Sequence, residues 1–153
     1  MSATGLDVFD KTLHTTNTWL HEICEVLGPD RQVAWHVLGA VLRTIRDRVP
    51  LGLAAHLGAQ LPLLVRGLYY DQWRPRDQPE KWRSREEFLA LVAAELRNVR
   101  PVDTAKAIRA VLKVLNHYVD PGQLQKVREA LPEDVRRMWS DAASGGSRLE
   151  PAA

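Results

Sequence analysis

The chain has 153 residues and a mass of 17.3 kDa, enough for one compact domain or two small halves around a shared core. With 45% hydrophobic and 26% charged residues and a formal net charge of +2, it reads as an ordinary globular chain. That excludes wholesale disorder and, despite a sequence pI of about 8.9, any strong field aimed at nucleic acid or acidic lipid.

The N-terminal stretch MSATGLDVFDKTLH carries acids and lacks the apolar run of a secretory leader. A helical face follows from Phe9, Leu13, Thr16, Leu20, Ile23 and Leu27, which recur at steps of three and four. Cys24 is the single cysteine; it rules out an internal disulfide framework and fits a reducing cytosol. Gly28-Pro29 predicts a stop and Asp30 a new N-cap, so a second helix is expected to reach Arg48 with Val37, Val41 and Ile45 buried. Pro50 and Pro62 each suit a first helical turn, where the missing N–H costs nothing, and two short helices are expected after them.

The longest uncharged run, Leu51 to Val65, is too short to span a bilayer and is broken by Pro62 and two glycines. No transmembrane segment is therefore expected, and the cytoplasm is the expected location. DQWRPRDQPEKWR (71–83) has two prolines and no apolar period, which predicts a linker or ordered loop. Ser84 with Glu87 is a capping box for a helix burying Phe88, Leu91, Val92 and Leu96. Asp103 opens a helix expected to end near Val119. Asp120-Pro121 and Pro132-Glu133-Asp134 start two more, with acids where the helix dipole favours them. No stretch alternates as a strand would, so the expected fold is all-α. The expected organisation is repeat one over 8–73, a loop at 74–83, repeat two over 84–140, and a loose tail over 141–153.

The repeat reading comes from sliding the chain against itself by 70 residues. AVLRTIRDRVPLGLAAHLGAQLPLLVRGLY (40–69) then lies on AVLKVLNHYVDPGQLQKVREALPEDVRRMW (110–139) without a gap. Ala40, Val41, Leu42, Val49, Gly52, Leu61, Pro62, Val65 and Arg66 meet identical residues, which predicts a tandem duplication. The copies disagree at six positions: Leu53, Gly58, Ala59, Leu63, Leu64 and Gly67 stand where the second copy has Gln123, Arg128, Glu129, Glu133, Asp134 and Arg137. Repeat one is therefore expected to own an extra apolar face. Leaving Leu53, Leu63 and Leu64 in water forgoes roughly 1.5–3 kcal/mol each, against a total stability of about 5–15 kcal/mol for such a domain. Three covers suit it: repeat two with the Trp73–Trp82 loop folded over, a second protein chain including a twin of this one, or a membrane surface, the last disfavoured because no basic stripe flanks the leucines.

AAHLGAQLPLLVRGLYYDQW, followed by SREEFLALVAAEL and ALPEDVRRMW, resembles the bacterial family called domain of unknown function 2267 over about residues 8–140. The resemblance implies a small helical protein with a tandem repeat, and no activity, cofactor or catalytic residue. The family pattern often has a glycine where this chain has Gln72.

Chemistry was sought residue by residue. HEICE (21–25) is one residue short of a zinc-binding HExxH helix, since Glu25 stands in place of the second histidine; His14, His21 and Glu25 share a face, but no third ligand partner is identifiable. No GxSxG elbow, P-loop or GxGxxG occurs. His56, Arg66, Tyr69, Tyr70, Asp71 and Trp73 form a candidate small-molecule pocket in which Arg66 would fork onto an anion. Against it, Arg66 recurs as Arg136 in a copy without the tyrosine pair. Lys106, Arg109 and Lys113 share a helical face, and Trp73, Arg74, Arg76, Lys81, Trp82, Arg83 and Arg85 interleave rings with bases, as a nucleic-acid binder would; neighbouring acids neutralise the second cluster. The function expected is non-catalytic protein–protein contact, with self or partner, through the apolar face of repeat one. A binder of nucleic acid or a small anion through Arg66 and the loop bases is the alternative, and an enzyme of unrecognised type the third. No cofactor or metal is implied.

Overall fold

A computed structural model describes residues 2–145. Eight α-helices follow one another: α1 (Asp7–Leu27), α2 (Arg31–Arg48), α3 (Leu51–Ala59), α4 (Leu63–Tyr70), α5 (Arg85–Glu95), α6 (Thr104–Tyr118), α7 (Pro121–Glu129) and α8 (Glu133–Gly145). A 3-10 turn, Pro75–Asp77, interrupts the loop before α5. No strand occurs among the described residues.

The helix starts are where the side chains that satisfy free backbone N–H groups lie. Asp30 accepts from Gln32 and Val33, Asp103 from Lys106, and Asp120 from Gln123. Ser84 and Glu87 close the reciprocal capping box. The Val33 N–H and then the Arg100 guanidinium, which lies 2.6 Å away, hold the Asp30 carboxyl below its usual range. Gly28 ends α1 at φ 106°, a conformation that favours glycine.

Two central helices carry the core. Val37, Leu38, Val41, Leu42 and Ile45 of α2, and Ile108, Val111, Leu112 and Leu115 of α6, are fully enclosed. Helices α2 and α6 pack on each other, as do α3 and α7. The remaining packing is paired: α1 lies on α6 as α5 lies on α2, α4 on α2 as α8 on α6, α1 on α4 as α5 on α8, and α3 on α4 as α7 on α8. Helices α3 and α7 begin and end 70 residues apart, and α4 and α8 begin 70 apart. At the α1–α6 contact Glu22 accepts from Tyr118 and lies 2.8 Å from His117 Nδ1, while Trp19 stacks on Tyr118. Burial and then this carboxylate push the Tyr118 phenol up to about 12.

Phe9 and Leu13, which share the helical face read for α1, are 49% and 43% exposed. The first two turns of α1 overhang the body, and Thr12, Thr16, Trp19, Leu20 and Ile23 form the buried stripe instead. Leu91, expected inside, is also exposed, while Phe88 and Val92 of the same helix are buried. Finally, α8 continues past Ser140 to Gly145; the rest of the expected tail, 146–153, lies outside the described residues.

The loop after α4 is ordered by α2. The Gln78 amide donates to the carbonyls of Arg46 and Val49, Glu80 N–H donates to Asp47 at 2.7 Å, and Arg48 Nε donates to the Trp82 carbonyl at 2.7 Å. Trp82 is buried, stacked on Phe88 with the Arg48 guanidinium over its ring. The loop enters through Gln72, whose φ of 57° is left-handed.

Candidate functional site

The residues proposed for a small-molecule pocket lie on α3, α4 and the turn after α4, and the polar side-chain atoms of Arg66, Tyr69 and Tyr70 are committed to backbone carbonyls. Arg66 caps the C-terminal end of α3: Nε donates to Gly58 at 2.9 Å, and Nη2 to Ala59 at 3.2 Å and Leu61 at 3.0 Å. Tyr69 donates to Ala54 at 2.6 Å and Tyr70 to Ala55 at 3.3 Å. Burial pushes the Tyr69 phenol well above its usual range. Trp73 stacks on Tyr70, and its indole N–H donates to Gln78 at 3.1 Å. Asp71 contributes its carbonyl to the buried guanidinium of Arg46 at 2.9 Å, and His56 stands exposed on α3. This set forms a brace between α3 and α4, and the Arg66 fork is already filled.

A depression of about 700 Å³ lies elsewhere. His14, Asn17, Thr18, His21, Cys24 and Glu25 line it from α1, with Gly28, Pro29 and Arg31 at one end. Most of its wall is thus the outward face of a single helix, which makes an open trough. His21 pairs with Glu25 at 3.2 Å, but no three metal-ligating side chains converge among the described residues, so His14, His21 and Glu25 do not meet as a ligand set. Burial raises the Cys24 thiol above its ordinary value, which keeps it protonated.

The basic clusters also separate. Lys106, Arg109 and Lys113 are exposed on α6. Trp82 is inside and Trp73 is stacked, so the rings that would stack on bases are occupied within the fold. Arg74, Arg76, Lys81 and Arg83 remain on the surface of the loop, among Asp77 and Glu80. Arg85 and Arg109 share a cleft of about 350 Å³ with Arg137, Glu86, Asp134, Met138 and Asp141, a mixed-charge lining.

The six apolar positions of the first half do not form one face. Gly58 is a correction: it is buried, and a Cβ there would stand 2.2 Å from the Tyr70 hydroxyl. Leu53 is half-buried against the core. Ala59, Leu63, Leu64 and Gly67 are exposed, Leu63 by 52% and Leu64 by 39%. Neither the second half nor the 71–83 loop covers these leucines, since the loop is tied to the end of α2.

What lies beside the leucines was missed at the level of sequence. Leu64 N–H donates to Thr12 Oγ1 at 3.3 Å, which places the start of α4 against the overhang of α1. That overhang displays Leu6, Val8, Phe9 and Leu13, all between 43% and 55% exposed. Their helical spacing signalled a buried stripe, and only the extent of the neighbouring helices shows that it is bare. The candidate site is therefore the set of exposed apolar residues on the first turns of α1 and the start of α4, two helices that meet at Thr12 and Leu64.

A family model described as uncharacterized conserved protein (DUF2267) matches residues 16–138. The chain belongs to the DUF2267 family. No curated protein matches it. In this DUF2267 chain the matched span begins one turn after Thr12, so Leu63 and Leu64 fall inside it while Leu6, Val8, Phe9 and Leu13 precede it. No helix among the described residues of the DUF2267 chain is long and apolar enough to cross a membrane.

Proposed function

We propose that this chain is a non-catalytic helical protein that acts by laying the apolar surface of α1 and α4 against another protein. The observation that carries the reading is that Phe9 and Leu13 in the first turns of α1 and Leu63 and Leu64 at the start of α4 are substantially exposed, on two helices joined where the Leu64 N–H donates to Thr12. Contiguous apolar surface of a few hundred Å² on a single chain is uncommon and is usually a contact site. Helix α4 is braced from behind by Arg66 at the end of α3 and by Tyr69 and Tyr70 across to it, so docking on that helix costs little ordering. The lone Cys24 supports action in the bacterial cytosol.

The same reading takes the two halves as tandem copies of one helical unit. The 70-residue offset of α3 from α7, the ungapped sequence identities across it, and the reciprocal packing of the helices support this.

The test places a photoreactive amino acid at position 63 or 9 in cells of the native host, with position 126 as control. Lys126 is exposed on α7, in the other half. Discrete protein cross-links from 63 and 9 and none from 126 are expected. Equal labelling from all three positions, or none from any, overturns the reading.

A further inference from the structure

The net charge is only +2, but it is unevenly placed, and a second surface follows that is independent of the protein-contact reading above. We infer that the outward face of α6 binds the phosphate backbone of duplex DNA, without reading its sequence, through Lys106, Arg109 and Lys113.

Two observations carry it. The first is that this face is basic throughout and unpaired. Between Lys106 and His117 the exposed residues are Lys106, Arg109, Lys113 and His117, and α6 contains no acid. The acids that flank the helix are spent: Asp103 and Asp120 accept from the backbone N–H groups of Lys106 and Gln123. Glu22 of α1 is engaged by His117 and Tyr118. The side chains of Lys106, Arg109 and Lys113 have no hydrogen-bond or ion-pair partner among the described residues. Arg109 and Lys113 stand one turn apart, an arrangement of like charges that weakens a helix. The fold gains nothing from it. The first half shows the contrast, because the positions 70 residues earlier are His36, Gly39 and Arg43. There Gly39 is buried, and Arg43 pairs with Glu95 at 3.1 Å.

The second observation is spacing. Steps of three and four residues set the three cations on one side of α6, over about 10 Å of its axis. Each strand of a duplex advances about 3.4 Å per phosphate, so the row faces about three phosphates.

The residue types select the occupant. Lysine is depleted at protein–protein interfaces, and no apolar side chain is exposed between positions 106 and 117 to centre one. Glu86 and Asp141 line the cleft beside Arg109; a flat anionic bilayer would press on them, whereas a rod laid along α6 would not. Tyr118 is stacked with both Trp19 and His117, so it is not free to stack on unpaired bases. Cationic donors hold phosphate and offer nothing that accepts from a 2′-hydroxyl, which leaves duplex DNA.

The experiment is fluorescence anisotropy of a short labelled DNA duplex titrated with the full chain. The wild type is expected to bind two unrelated sequences equally, with a log–log salt slope of about −2.7. That slope makes binding about 40-fold weaker when salt rises from about 50 to about 200 mM. Lys106→Gln, Arg109→Gln and Lys113→Gln together are expected to weaken binding by at least about tenfold at the lower salt, with unchanged helicity. A control with Lys11→Gln, Lys81→Gln and Lys126→Gln removes the same charge from other exposed positions. It is expected to stay within about twofold of the wild type, since charges far from the contact are screened. No binding at the lower salt, or equal losses in the two triple variants, overturns the site. Binding of phosphatidylserine vesicles or polyglutamate through the same three residues, without binding of DNA, also overturns it, in favour of a membrane or an acidic protein. Cross-linking from position 63 does not depend on α6, so the two readings fail separately.

Discussion

In the second half of the molecule α5 starts at Arg85, and its first N–H is held by Asp134 Oδ2, 2.7 Å away at the start of α8. In the first half the matching helix starts about two turns earlier, at Asp7 where the counterpart of Arg85 is Thr15, and the residue in the place of Asp134 is Leu64. A helix start has free N–H groups that an acid can accept from; the middle of a helix has none. Leucine is thus what the extended α1 calls for beside it. A second difference is reciprocal. Gly58 lies under Tyr70, whereas its counterpart Arg128 reaches over Trp139 and the counterpart of Tyr70 is the small Ser140. So positions that are polar in the second half and apolar or small in the first differ for unlike reasons: one packs a longer helix, one seats a tyrosine, and Leu63 and Gly67 have no internal cause. The comparison isolates the residues that point outward from those that look as if they should.

The sharpest way to break the comparison is at the aromatic pair. Tyr69 and Trp139 occupy matching sites, but Tyr69 donates to the Ala54 carbonyl while Trp139 donates to Asn116 Oδ1 at 2.7 Å. Trp139→Ala should lower the unfolding free energy by about 3–5 kcal/mol, and Tyr69→Phe by only about 1 kcal/mol, read by denaturant titration. Next comes Gly58→Ala, which should cost about 1–2 kcal/mol because crowding of the Tyr70 ring exceeds the helix-forming gain of alanine. In a Tyr70→Ser background the same change should become stabilising. An equal effect in both backgrounds would show that Tyr70 does not set the size limit. Asp134→Leu should cost about 1 kcal/mol through the lost cap of α5, whereas Leu64→Asp should bring no matching gain because α1 offers no free donor. The smallest effect is expected at the turn: Gln72→Gly should raise stability by about 0.5–1 kcal/mol, since glycine adopts the left-handed backbone without steric cost.

Much of the fold was legible because its signals are local. Asp30, Ser84, Asp103 and Asp120 cap helices within three residues of themselves, and Gly28-Pro29 stops one. The 3.6-residue period put Phe9 and Leu13 on one face of α1 with Leu20 and Ile23, but said nothing of how far the neighbouring helices extend along it, so it did not show that the first two are bare. Trp82 was equally hidden from local reading, because its burial depends on Arg48 and Phe88 and on a loop held to the far end of α2. The exposed apolar residues were half legible. Leu63 and Leu64 stood out against their acidic counterparts, while the α1 residues beside them have no counterpart in the second half with which to disagree. Gln72 carries a left-handed φ of 57° that no local signal in its side chain announces.

The crosswise seating of α1 on α6 and of α5 on α2 has an effect on how the chain comes apart. Each half lends its leading rod to the other, so severing the peptide within the 71–83 stretch should leave two fragments that stay clasped and migrate together. Heat should undo them in one step, because neither fragment holds an interior of its own to fall back on.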